Sequence, residues 1–102
     1  MAIQNTSLSA TASSIITSTG TTAIVTIHLC NYTSNSVTAN IFLVPSGGSA
    51  NLSTLVYSNV SITAYNTLVI DREKFILATG DAIFANVSTG SSVTATVSSI
   101  GV

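Results

Sequence analysis

The side chains able to do chemistry in this 102-residue chain are few. There is one histidine, His28, one cysteine, Cys30, and five charged residues, Asp71, Arg72, Glu73, Lys74 and Asp81. Catalysis needs a nucleophile beside a base, a pair of carboxylates, or a bound metal. His28 and Cys30 are two residues apart, so on a strand they share a face. A Cys–His nucleophile pair there has no obvious third group to orient it, and two ligands are too few for a structural zinc site. Both read as ordinary strand residues. Asp71, Glu73 and Asp81 form the other set, three oxygen ligands for a hard cation, but their spacing matches no EF-hand loop. Gly47-Gly48 stands alone in a Ser-rich stretch and reads as a turn rather than a phosphate loop. Neither enzymatic activity nor a cofactor or metal is expected.

The charged run has a structural reading. Asp71 follows a strand ending at Ile70 and can cap a short helical turn through Arg72-Glu73-Lys74 by accepting from its exposed N–H groups. Phe75, Ile76 and Leu77 would then plug the open end of the fold, making the segment a solvated crossover between sheets. An intersubunit salt bridge is the alternative use of the same four residues.

The elements around these residues follow from period-2 alternation. Val25, Ile27 and Leu29 fall on one face of a strand, with Thr26, His28 and Cys30 on the other. After the polar turn Thr33-Ser34-Asn35-Ser36, Val37, Ala39, Ile41 and Leu43 alternate with Thr38, Asn40 and Phe42, which reads as a hairpin. Phe42 points away from the Ile41/Leu43 face, so an exposed Phe42 is a candidate subunit contact, unless the strand is buried on both faces. Pro45 to Ser49 opens a loop. Leu55 to Ile62 reads as a strand bent near Ser58-Asn59, and Thr67–Ile70, Ala82–Val87 and Val93–Ile100 as three more, with turns at Ala64-Tyr65-Asn66, Thr79-Gly80-Asp81 and Ser88 to Ser91. Leu8 to Thr17 gives one long strand or two short ones at a sheet edge. Residues 1–6 read as an N-terminal arm that orders against a partner.

Composition agrees with sheet. Only 5% of residues are charged, against about 25% in ordinary globular domains. Serine and threonine, about a third of the chain, take the vacant places; Thr suits a pleated strand and tolerates a wet face. The expected architecture is all-β, a single-domain antiparallel β-sandwich over residues 1–102 with about 7–8 short strands. It would be Ig-like or jelly-roll-like, with a small β-barrel as the alternative. Two basic side chains exclude binding to a phosphate backbone. No apolar run approaches the roughly 18 residues of a spanning helix, and residues 1–20 lack the basic start and apolar stretch of a secretory signal. Five N-x-S/T sequons, at Asn5, Asn31, Asn51, Asn59 and Asn86, carry no weight in a chain so rich in these residues. A net charge of −1 leaves little repulsion between copies and favours association.

From Val25 onward the chain resembles a family of small virion structural proteins of tailed bacteriophages, of the marine and cyanobacterial type. The resembling segments are TIHLCNYTSNSVTANIFLVPSGGSA, YSNVSITAYNTLVIDREKFILATGDAIFANVS and the C-terminal VTATVSSIGV. They place the family's landmarks at Cys30-Asn31, Val44-Pro45, Ile70 to Lys74 and Gly80-Asp81, over about three quarters of the chain. The resemblance implies a copy-rich building block made in the host cytoplasm and carried in the virion. A capsid decoration or cement protein is expected; a neck or tail protein, or a tail-fibre receptor- or carbohydrate-binding module, is the alternative. Its partners would be other virion proteins, among them the major capsid protein, and further copies of itself. The expected contacts are the arm, Phe42 with its strand, Gly47, Gly48, and Asp71, Arg72, Glu73 and Lys74.

Overall fold

The structure, a computed structural model, describes residues 2–70, 75–90 and 92–101. Among the described residues there are nine strands: β1 (Ala2–Ser7), β2 (Ser13–Thr17), β3 (Thr22–Asn31), β4 (Val37–Val44), β5 (Leu55–Ile62), β6 (Thr67–Ile70), β7 (Phe75–Leu77), β8 (Ala82–Val87) and β9 (Val93–Gly101). β6 and β7 lie one after the other along the same side of β3, with Ile70 opposite Ile27 and Phe75 opposite Ile24.

The first half of the chain pairs with the second half in reverse. β1 pairs β9, β2 pairs β8, β3 pairs β6 and β7, and β4 pairs β5, all antiparallel. The resulting ribbon turns at residues 45–54 and rolls up, so that β9 also pairs β3 and β8 also pairs β4. One sheet therefore runs β1-β9-β3-β6, with β7 beside β3, and the other runs β2-β8-β4-β5. This is the strand order of a jelly roll, two layers built by a folded-over hairpin, with β6 and β7 together filling the fourth place of the first layer. The sandwich holds as expected; the strand order sets aside the Ig-like alternative, and two separate sheets set aside the barrel.

The two inner faces make one core. Ile24, Ile27, Leu29, Val93, Ala95 and Val97 from the first sheet meet Ile15, Ala39, Ile41, Ile83, Ala85 and Val87 from the second. Alternation puts these residues inward, and their branched side chains suit a pleated, packed surface. Leu8, just past β1, is anchored by its N–H to the carbonyl of Val93 (2.9 Å) and is fully buried.

Several expectations need correcting. β3 and β4 are not a hairpin: they lie in different sheets, and residues 32–36 cross between them. Val25 is not the first inward residue of β3. The register against β9 shifts between Ile24 and Thr26, so Val25 is an extra residue at a β-bulge and Ile24 takes the inward place. Residues 75–77 are not a plug at the end of the sandwich but strand β7, with Leu77 buried and Ile76 63% exposed. Nor does the chain cross between sheets between β6 and β7, since both flank β3. Residues 2–6 of the expected arm belong to strand β1, in unbroken register with β9.

Candidate interaction surfaces

His28 and Cys30 stand on the outer face of the β1-β9-β3-β6 sheet. His28 lies opposite Thr96 and Val69, and Cys30 opposite Thr94 and Thr67. Cys30 is an exposed free thiol. Among the described residues no three His, Cys, Asp or Glu side chains converge. Asp71 and Glu73, two of the three spaced carboxylates, lie outside the described residues, as does the helical turn expected over residues 72–74. The third, Asp81, uses its carboxylate on the backbone: Oδ1 accepts from the Ser46 N–H and Oδ2 from the Ala78 N–H, each at 3.0 Å. Its own carbonyl accepts from the Ser18 N–H at 2.8 Å. Asp81 thus ties together three connections at one end of the sandwich. Gly80 beside it has φ +88° and packs so closely that an added Cβ would fall 2.9 Å from Ser46 Cβ.

The expected contact residues separate. Phe42, expected to stand exposed, is buried, with 7% of its surface accessible. It faces outward from the second sheet, as alternation requires, but lies directly opposite Phe84 on β8 and Leu55 on β5. They flank it on both sides, so the outer face of β4 is covered at Phe42, while Thr38 and Asn40 on that face are half-buried. Gly47 and Gly48 are exposed in a turn closed by the Gly48 N–H on the Pro45 carbonyl (2.8 Å). Gly47 has φ +80° at the third position, the geometry of a type II turn. Asp71, Arg72, Glu73 and Lys74 lie outside the described residues.

Three features escaped the sequence reading. The first is Asn31, fully buried at the end of β3. Its Nδ2 donates to the carbonyls of Asn35 (2.8 Å), Ile62 (3.1 Å) and Thr63 (3.2 Å). Its Oδ1 accepts from the N–H and the hydroxyl of Thr33, at 3.0 and 2.8 Å. One side chain thereby fixes the crossing from β3 to β4 against the end of β5. The signal was its parity: 27, 29 and 31 share the inward face.

The second is the outer face of the first sheet, where Ile3, Val69, Ile76 and Ile100 are 40% exposed or more. Ile100, Ala23 and Ile76 lie side by side across β9, β3 and β7. Around them that face carries Thr, Ser, Asn, Cys and His. The third is the pairing of two exposed tyrosines at one end of the sandwich, which their spacing in the sequence does not reveal. The Tyr65 N–H donates to the Thr33 carbonyl (3.1 Å) and the Asn31 N–H to the Asn66 carbonyl (2.9 Å), which holds the Tyr32 and Tyr65 turns against each other. Tyr65 has φ +59° and is 71% exposed.

An open groove of about 330 Å³ runs between the end of β4 and β7, lined by Leu43, Val44, Pro45, Phe75, Ile76, Leu77, Ala82 and Asp81. Its only polar side chain among the described residues already accepts from two amides. A small-molecule site has several convergent polar groups; this one has an apolar wall. No family model, curated protein sequence or solved structure matches the chain.

Proposed function

We propose that the chain is a non-enzymatic structural protein of a tailed bacteriophage virion, in the role of a capsid decoration or cement protein. It acts by packing against the major capsid protein and its own copies. The observation that carries the reading is a jelly roll whose described outer faces bear hydroxyls and apolar side chains in place of charge. Jelly rolls serve viral capsid and lectin domains, an argument from fold rather than from a site. The resemblance of residues 25–102 to small phage virion proteins supports the same assignment.

A second reading, a receptor- or carbohydrate-recognising module at a tail fibre, is favoured by the tyrosine end. Tyr32 and Tyr65 sit on turns bonded to each other, and Tyr65 is held outward in a backbone conformation that costs energy. Exposed aromatic rings with flanking amides and hydroxyls are what a sugar face stacks on.

One experiment separates the readings: quantitative mass spectrometry of purified particles for copies of this chain per virion. Hundreds of copies place it on the capsid lattice. A few dozen or fewer move it to the neck, tail or fibres, and none overturns the virion role.

A further inference from the structure

A sandwich of two open sheets has four edges, and three of them here are blunted. β2 is five residues long with a register shift between Ser14 and Ile16. β5 shifts register twice and contains Asn59 at φ +50°. The fourth neighbour of the first sheet is split into β6 and β7. Breaks of this kind keep an edge from pairing with another chain. β1 has none of them. Its six residues, Ala-Ile-Gln-Asn-Thr-Ser, run against β9 without a shift and include no proline and no charge.

Which groups the β1 edge presents follows from the ladder. Leu8 lies opposite Val93 in continuation of the β1 register, and its N–H bonds the Val93 carbonyl. In an antiparallel pair, residues that exchange bonds alternate with residues that do not. Thr6, Gln4 and Ala2 therefore bond to β9, and Ile3, Asn5 and Ser7 turn their N–H and C=O groups outward. Among the described residues these outward groups have no partner.

We propose that β1 is a self-association edge, pairing antiparallel with β1 of a second copy about a two-fold axis at Asn5. In that register Ile3 faces Ser7 of the second copy, Asn5 faces its equivalent, and Ser7 faces Ile3. All three outward donors and all three outward acceptors of each copy are then matched, giving six N–H···O bonds. Moving the axis by one residue in either direction matches two residue pairs instead of three. A two-fold makes the edge its own complement. With no charged side chain on β1 or β9, like meets like without repulsion. The Asn5 side chain does not obstruct the approach: its Oδ1 accepts from the Thr96 hydroxyl at 2.9 Å, on the outer face of the sheet. The product is one continuous sheet through both copies, a β-augmentation in which both partners supply the same strand. The proposal rests on the assembly reading above for its setting.

The test is sedimentation of the intact chain over a wide concentration range, beside Asn5→Pro. Proline at position 5 removes an outward N–H and no backbone bond to β9, losing there only the exposed side-chain bond from the Thr96 hydroxyl, and an edge strand accepts it at such a place. The expected result is a reversible dimer for the wild type, at least tenfold weaker for Asn5→Pro, with the melting temperature of dilute monomer little changed. Asn5→Cys in a Cys30→Ser background gives a second readout. Directly opposed residues of a bonded pair have Cα atoms about 5.5 Å apart, within disulfide range, so mild oxidation yields a covalent dimer; Thr11→Cys in the same background stays monomeric. A wild type that remains monomeric at about millimolar concentration overturns the proposal, as does a dimer that Asn5→Pro leaves intact. In particles, crosslinking of the Asn5→Cys variant to a different virion protein in place of itself overturns the second copy as occupant. The two readings fail separately. A dimer in solution with no copies in particles removes the virion role alone, and a monomer present in hundreds of copies removes the edge alone.

Discussion

Replacing Asn31 tests whether a single buried amide holds the crossing between the two sheets. In Asn31→Ala the carbonyls of Asn35, Ile62 and Thr63 lose their donor, and the Thr33 N–H and hydroxyl lose their acceptor. A buried group left unsatisfied costs about 1–3 kcal/mol. Only the bond to Ile62 is fully buried, the rest being part-buried and able to recover some hydration. Counting the Ile62 carbonyl at full value and discounting the others gives a loss of about 3 kcal/mol, a large share of the 5–15 kcal/mol typical of a domain. Asn31→Asp is the sharper perturbation. It keeps the shape but directs a second oxygen at three carbonyls, so it must cost more than alanine, either by repulsion or by forcing a buried carboxyl to hold its proton. Urea unfolding followed by circular dichroism measures both, with an unchanged m-value showing that the folded state is otherwise intact. A loss below about 1 kcal/mol for Asn31→Ala, or an Asn31→Asp variant as stable as Asn31→Ala, would refute the reasoning.

Two further substitutions probe the ends and the outer face. Gly80→Ala combines a left-handed backbone with a Cβ pressed on Ser46, whereas Gly47→Ala at φ +80° meets nothing within 4 Å. Gly47→Ala should lower stability by about 1–2 kcal/mol from the backbone alone, and Gly80→Ala by clearly more; thermal melting of the pair isolates the contact, and equal losses would show that it carries no energy. Phe42→Ala should cost about 3 kcal/mol in urea unfolding of the monomer. A change within about 0.5 kcal/mol would instead mark an exposed side chain.

Where alternation is long and unbroken the sequence already draws the strand. Val93, Ala95 and Val97 read as inward residues of β9 and are fully buried. The bend in β5 was legible because Ser58-Asn59 interrupts the apolar pattern, and Asn tolerates the positive φ found there. What alternation cannot carry is a change of face without a change of composition. The bulge at Val25 lies within a run of four residues, Ala23 to Thr26, any of which a strand accepts, and only the partner strand β9 decides which is extra. The misassigned hairpin has a similar cause. Thr33 to Ser36 has turn chemistry that serves equally to reverse a strand within a sheet or to step between sheets. The choice is made by contacts between residues far apart in sequence, Asn31 with Ile62 among them. Phe42 escaped because burial of an outward side chain depends on the residues opposite, Phe84 and Leu55, which lie 42 and 13 positions away in sequence.

The near absence of charge becomes intelligible when the polar bonds are followed to where they lie. Ser18 bonds the carbonyl of Gly20 and the hydroxyl of Thr22 across the turn between β2 and β3. Asn51 accepts from both the N–H and the hydroxyl of Ser53 in the loop between β4 and β5, Asn66 donates to Thr63 before β6, and Ser92 to Thr89 before β9. These are local bonds within the connections, some to backbone groups and some between side chains, a use for which Ser, Thr and Asn are suited and long charged side chains are not. On the outer face of the second sheet, Asn40 and Asn86 bond each other at 2.9 Å, and Asn40 also accepts from the Asn59 N–H. A surface so arranged has already met much of its hydrogen-bonding demand. Covering it with a neighbour strips water from groups that keep their partners, which costs little, whereas covering a lysine- or glutamate-rich surface strips water from ions. The same substitution of hydroxyl and amide for charge that removes repulsion between copies thus also lowers the desolvation cost of close packing on that face.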